Sequence, residues 1–317
     1  MTALPRVVIG LSAVVVAAGA RGPEVLLTQT NGATGLPFGS FDPIGHRTFE
    51  LAVREFVTAQ TGFALGYVEQ LYTFGDRGRE APAVDMQDGA RVVSVSYLAL
   101  AGDISDGHER AGIWGDWYRY FPWEDHQSDL GQRAAAMLIP ALLSWCHDEA
   151  TRDRIASAFG LSGAPWQESR VLERYELLYE AGLVAEAGRD RYDTTSATCS
   201  NSPPGLPLSG EPMVSDHRRI LATAIGRLRA KILYRPIIFD LAPTVFTLSA
   251  LQDLVQQVCG VRLHKQNFRR TLENSGLVVA TGAMLQETGG RPAKLFTRSH
   301  ASFAFGAPGL SLPLLRR

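Results

Sequence analysis

The chain has 317 residues, 45% of them hydrophobic and 20% charged, with 31 Lys and Arg against 32 Asp and Glu. This composition excludes a disordered, fibrous or integral membrane protein, and the length suits two domains better than one. The near-zero net charge hides a division: residues 1–213 carry 16 basic and 27 acidic side chains, a balance of −11, while residues 214–317 carry 15 and 5, a balance of +10. A basic terminal third points to a polyanion such as nucleic acid. Cys146, Cys199 and Cys259 are far apart with no C-x-x-C pair, so neither a disulfide framework nor a structural zinc site is expected, and a reducing cytoplasm is the expected home.

The first hundred residues are strand-rich: RVVIGLSAVVVAA, EVLLTQ, GYVEQLYTFGD and RVVSVSYLALAGD alternate or run apolar over strand lengths. Arg6 to Gly22 also has the basic start, apolar run and small-residue end of a secretory signal. Its valine content, the breaks at Gly10 and Ser12 and the second apolar run that follows at once favour a pair of strands. No apolar stretch reaches the roughly 18 residues of a membrane span. Arg47–Gln60 sets Phe49, Ala52, Val53, Phe56 and Val57 on one helical stripe with Gly62 as its stop, and further helices are expected over Leu130–Ala150 and Glu168–Ala181. The aromatic cluster GIWGDWYRYFPWED suits a dimer surface, a lid or core equally well.

Thr194–Met213 lacks periodicity and is rich in Ser, Thr, Pro and Gly, as in a linker or long surface loop. A helix follows, capped by Ser215 or Asp216, with Ile220, Leu221, Ala224, Ile225, Leu228 and Ile232 on its apolar stripe and Arg227, Arg229 and Lys231 near its C-terminal end. Next, Thr247 caps FTLSALQDLVQQVCG, a short turn leads into HKQNFRRTLENSG, and LVVATG and AKLFTR flank the tip ETGGRP. Helix, turn, helix and β-hairpin in that order make a winged helix-turn-helix. In such a motif the second helix enters the major groove, so Lys265, Gln266, Asn267, Arg269 and Arg270 are expected to face DNA, with Arg291 and Lys294 on the wing. Asn and Gln suit adenine edges and Arg suits guanine, which favours sequence reading over mere charge attraction.

The segment LPFGSFDPIGHRTFELAVREFVTAQTGF resembles the Nudix box, G-x5-E-x7-R-E-U-x-E-E-x-G-U, whose glutamates hold a divalent metal beside a pyrophosphate. Gly39 opens it, Arg54 and Glu55 match the R-E pair, and Gly62 and Phe63 close it if one extra residue is allowed. The metal-binding E-E pair falls on Thr58 and Ala59 or on Ala59 and Gln60, and the earlier glutamate on Gly45 or His46. Because Ala offers no side-chain ligand, neither catalytic nor metal residues are expected, although Glu50 and Glu55 keep an active hydrolase of nucleoside diphosphates as the alternative.

The runs GYVEQLYTFGDRGR, RVVSVSYLAL, ERYELLYEAGLV, DHRRILATAIGRLRAKILYRPIIFDLAPTVFTLSALQ and NFRRTLENSGLV extend the likeness. Over about Pro5 to Arg298 the chain resembles the Nudix-related transcriptional regulators of NAD metabolism, most closely their alphaproteobacterial branch. The resemblance implies an α+β chain with an N-terminal Nudix-like α/β/α unit and a C-terminal winged helix. It divides as a sensor over 1–193, a linker over 194–213, a connecting helix over 214–234 and a DNA-binding domain over 235–317. It further implies a dimeric repressor of NAD biosynthesis or salvage genes that requires no cofactor, binds a double-stranded operator and no membrane, and answers to ADP-ribose or a related NAD metabolite. Within its signature run, Tyr72, Phe74, Asp76, Arg77 and Arg79, together with Arg54, are the expected effector contacts, since arginines beside an aromatic ring suit a pyrophosphate and a base.

Overall fold

The computed structural model describes residues 7–20, 22–30, 32–76, 91–102, 112–193, 206–286, 292–300 and 309–310. The valine-rich run is the central strand β1 (Val7–Ala18). It runs parallel to β6 (Arg91–Ala101), and its other side pairs antiparallel with β2 (Pro23–Thr30) and β4 (Phe38–Ser40). β3 (Ala33–Gly35) and β7 (Ile113–Asp116) join β2, and β5 (Tyr67–Phe74) closes the far edge against β6. Leu11, Ala13, Val15 and Ala17 face α1 (Phe49–Thr61), where they meet Ala52, Val53 and Val57, while Val14 and Val16 face the opposite layer. A strand covered on both faces is apolar at every position, which is why this one imitates a secretory segment. Thr48 caps α1 by accepting from the Leu51 N–H, and Gly62 ends it at φ 72°.

The opposite layer is helical and begins with the aromatic cluster. Trp117, Tyr120, Phe121 and Trp123 are all buried, so that stretch is core. The helix expected over Leu130–Ala150 is two, α2 (Asp129–Trp145) and α3 (Glu149–Phe159). Cys146 turns extended, and Asp148 starts the second helix by accepting from the Thr151 N–H, a cap that the apolar periodicity does not reveal. α4 (Val171–Glu180) and α5 (Ala185–Asp193) follow. The expected linker is described from Leu206 onward, where it is pinned: the Leu206 N–H donates to Leu183 O, and Glu211 takes two bonds from Arg119 at 2.9 Å. α6 (His217–Tyr234) has 12 of its 18 residues buried, so it is the central rod of this layer. Asp216 occupies its N-cap position but forms no capping bond; the carboxylate meets Arg219 instead.

The terminal elements follow the expected order. β8 (Val245–Thr247) leads into α7 (Leu248–Cys259), which Thr247 caps through the Ala250 N–H and Gly260 ends at φ 71°. α8 (Lys265–Asn274) buries Phe268 and Leu272, one turn apart. β9 (Val278–Leu285) and β10 (Ala293–Arg298) form the wing, and β8 pairs with β10 as its third strand. Leu251, Val255, Val258 and Phe268 belong to the same continuous core as Val14, Trp117 and Leu221.

Candidate nucleic-acid interface and its links to the N-terminal unit

Lys265, Gln266 and Arg270 project from α8 into solvent, and Lys294 is exposed on β10. Asn267 and Arg269 are half-buried, and Arg269 turns back to donate to Ser249 Oγ on α7 at 2.9 Å. The outward donors therefore gather on one side of α8, while Arg269 ties the two helices together. His264 caps α8 through a long 3.4 Å bond from the Asn267 N–H, a role the motif alone does not announce. Arg291 lies outside the described residues.

The C-terminal end of α7 is fastened to the segment between Tyr118 and Gln127. A helix leaves its last carbonyls short of internal donors, and here several find one from outside, Gln256 O in addition to the capping Gly260 N–H. Gln256 O accepts from Gln127 Nε2 at 2.9 Å, Gln257 O from the Tyr118 hydroxyl at 2.5 Å, Val258 O from Arg229 Nε at 2.9 Å and Gly260 O from the His126 N–H at 2.8 Å. A Cβ on Gly260 would run into the Glu124 carbonyl, so packing as well as φ demands glycine here.

Of the α6 cations Arg227 is exposed, but Arg218, Arg219, Arg229 and Lys231 do not face outward as a phosphate-binding surface would require. Arg229 and Arg174, both on helices, close on Glu124, with N···O distances of 2.5 Å from each, and all three are buried. Burial alone would lift the Glu124 carboxyl, but the two guanidinium groups outweigh it and hold it below the ordinary carboxylate range. Arg218 meets Glu186 at 3.0 Å, Lys231 pairs with Glu69, and Arg219 bridges Asp76, Glu176 and Asp216. The sequence shows these cations as helix-end charge. Apart from Asp216, three positions from Arg219, their partners lie 32 to 162 positions away, a distance no local pattern encodes.

Among the expected effector residues, Arg54 is engaged by Glu50 at 2.8 Å and by the carbonyls of Leu65 and Gly66 at 2.6 and 3.0 Å. Tyr72 is exposed and meets the buried Phe74 edge-on at 5.2 Å, and the Arg219 guanidinium lies 5.1 Å from the Phe74 ring. Asp76 is the Arg219 partner. Arg77 and Arg79 lie outside the described residues. Thus Phe74 and Asp76 are drawn together against α6, while Arg54 braces α1 elsewhere.

Gln60, at the degenerate end of the box, forms a two-point clasp: its Oε1 accepts from the Phe38 N–H at 3.2 Å and its Nε2 donates to Phe38 O at 2.5 Å. A glutamate there would lack the donor for Phe38 O. Among the described residues, no three of His, Cys, Asp and Glu gather in a metal-holding arrangement, and no helix is long and apolar enough to cross a membrane. The Phe38 ring lies edge-on to His217 of α6 at 5.2 Å. His217 is fully buried and accepts from the Leu36 N–H at 3.0 Å; burial, reinforced by Arg189, pushes its pKa down to about 3, so it is neutral.

Residues 238–297 match the family model of the NrtR DNA-binding winged helix domain. The chain is similar to the ADPR responsive transcriptional repressor NtrR of Acinetobacter baylyi, with 34% identity over 93 residues, or 29% of this chain and 37% of that protein. The match thus spans little more than a third of that relative. In fold the chain is similar to crystal structures of Shewanella oneidensis NrtR, alone (TM-score 0.53, 19% identity, 96% of this chain and 99% of that one) and complexed with a 27mer DNA (TM-score 0.52, 21% identity, 96% and 98%). The chain therefore has the architecture of the Nudix-related NrtR regulators, an N-terminal Nudix-type α/β/α unit followed by an NrtR-type winged helix.

Proposed function

We propose that this chain is a homodimeric transcriptional repressor of NAD biosynthesis or salvage genes, released from or held on its operator by ADP-ribose or a related NAD metabolite. The observation that carries this reading is the coincidence of the winged-helix match over 238–297 with an α8 whose Lys265, Gln266 and Arg270 face solvent beside Lys294 of the wing. Two such helices in a dimer read two half-sites about one helical turn apart. We assign sensing to residues 1–193, a linker to 194–213, connection to 214–234 and DNA binding to 235–317. Tyr72, Phe74, Asp76, Arg77, Arg79 and Arg54 remain the assigned effector contacts, and Asn267, Arg269 and Arg291 complete the DNA set. Because α6 holds Phe74 and Asp76 of the sensor through Arg219 and Val258 of α7 through Arg229, effector and DNA act on one rod, and each changes the affinity of the other by the same factor.

The Nudix unit acts without hydrolysis. This is supported by the local engagement of the box residues: Gln60 is held by Phe38, Glu50 by Arg54, and Glu55 lies 3.8 Å from His46. The test is a mobility-shift assay on the chain's own upstream region and on NAD-synthesis promoters, with and without ADP-ribose, NAD and NMN. A shift that at least one of these ligands alters is expected; no shift on any fragment sinks the reading. Mg²⁺- or Mn²⁺-dependent ADP-ribose cleavage that falls on Glu55→Gln would overturn the non-hydrolytic part alone.

A further inference from the structure

We infer that the cleft between β2, β4, the end of α1 and β7 binds the uncharged nucleoside portion of the effector, a heterocycle bearing an exocyclic amino or amide N–H together with its ribose. This rests on the effector reading above and assigns the anionic portion elsewhere. The cleft measures about 510 Å³, within the range of small-molecule sites. Leu27, Phe38 and Ile113 supply apolar wall, and Ile113 is 50% exposed at the mouth, a large apolar side chain placed where a planar ring can cover it.

The polar lining is neutral: Thr28, Gln29, Thr30, Gln60 and Thr61, with no Asp, Glu, His, Lys or Arg among the described lining residues. A diphosphate entering such a wall would lose hydration with no cation to replace it. Most of these polar groups are already engaged. Thr28 donates to Leu36 O at 3.1 Å, Thr61 to Val57 O at 2.6 Å and Gln29 Nε2 to Thr34 Oγ1 at 2.9 Å, and both ends of the Gln60 amide hold Phe38. Among the described residues, the lining side-chain groups with no described partner are the Gln29 carbonyl oxygen, an acceptor, and the Thr30 hydroxyl, a donor and acceptor. An exocyclic N–H satisfies the first and a ribose hydroxyl the second. The site also has a route outward, since Phe38 touches the ligand space on one side and His217 of α6 on the other.

Calorimetric titration of the full chain with adenosine and with ADP-ribose tests this. One adenosine per chain is expected, with affinity changing less than about twofold between low and high salt, because no charge is engaged. Ile113→Trp, which overfills the mouth, is expected to weaken both ligands about tenfold or more. Thr30→Val, which keeps the shape and removes the hydroxyl, is expected to weaken both by about threefold to tenfold. Both positions are at the rim, and thermal unfolding of each variant verifies its fold. Failure of adenosine to bind, or wild-type affinity in a folded Ile113→Trp, overturns the inference. If ADP-ribose binds the wild type and Ile113→Trp alike, this site falls while the effector reading stands. If adenosine binding is lost in Ile113→Trp but ADP-ribose leaves DNA affinity unchanged, the site stands and the effector reading falls.

Discussion

α6 and α8 both belong to the basic terminal third, yet they use their cations in opposite ways. Arg218 and Arg229 of α6 are no more than 1% exposed and meet glutamates from the acidic two thirds, whereas Lys265 and Arg270 of α8 stand in water with no ion pair described for either. The charge division along the sequence is therefore two phenomena. Around α6 it is internal complementarity, acid from one part of the chain closing on base from another, and around α8 it is a surface potential. Net charge per segment cannot separate them, because it carries no information about burial.

The comparison breaks first at Glu124. Glu124→Ala would leave Arg174 and Arg229 buried without their counter-charge, so a loss of about 3–5 kcal/mol in denaturant unfolding is expected. A loss below about 1 kcal/mol would mean that the triad is solvated and that α6 resembles α8 after all. The opposite signature is expected from Arg270→Ala: specific DNA affinity falls by about 1–3 kcal/mol in a mobility-shift titration, while the unfolding midpoint stays at the wild-type value. Should that substitution destabilise the fold instead, α8 would not be a free reading surface.

A smaller effect comes from acid. The unfolded chain protonates His217 near pH 6.5 while the folded chain keeps it neutral down to about 3, so the unfolded state binds the extra proton as pH falls and stability is lost below about 6.5. Between pH 7 and 5.5 the expected loss is about 1 kcal/mol. His217→Asn should remove that increment from the pH profile of unfolding; an unchanged slope would place the imidazole in contact with water. The least effect belongs to Arg119 and Glu211, which are 56% and 50% exposed despite their paired bonds. Glu211→Gln should change stability by less than about 1 kcal/mol, and more than that would show that the 206–213 segment is held by charge.

Legibility in the sequence followed the range of the interaction. α1 with its Gly62 stop, α7 between Thr247 and Gly260, and the Phe268–Leu272 face of α8 are each set by residues a few positions apart, and each could be read directly. The break at Cys146 was missed because the caps of α3 compete with an apolar pattern that runs on. The aromatic stretch from Trp117 to Trp123 had three readings because composition is silent on which side of a cluster the solvent lies. At the candidate sites, exposure on α8 followed from helical phase, except that Arg269 folds back onto Ser249. The Gln60 clasp on Phe38 joins positions 22 apart and stands where the Nudix pattern offered only a missing carboxylate. A glutamine rather than an alanine at that point was the available signal.

The fastening of α7 also bears on modular engineering. A fragment cut to the winged-helix match would carry the carbonyls of Gln256, Gln257, Val258 and Gly260 away from their donors and bare the Leu251–Val255–Val258 face to water. Chimeras that exchange DNA specificity among such proteins should therefore transplant the reading side of α8 and the wing, leaving α7 and its seat on residues 118–127 with the host. In this chain the unit that can be swapped is a surface, not a domain.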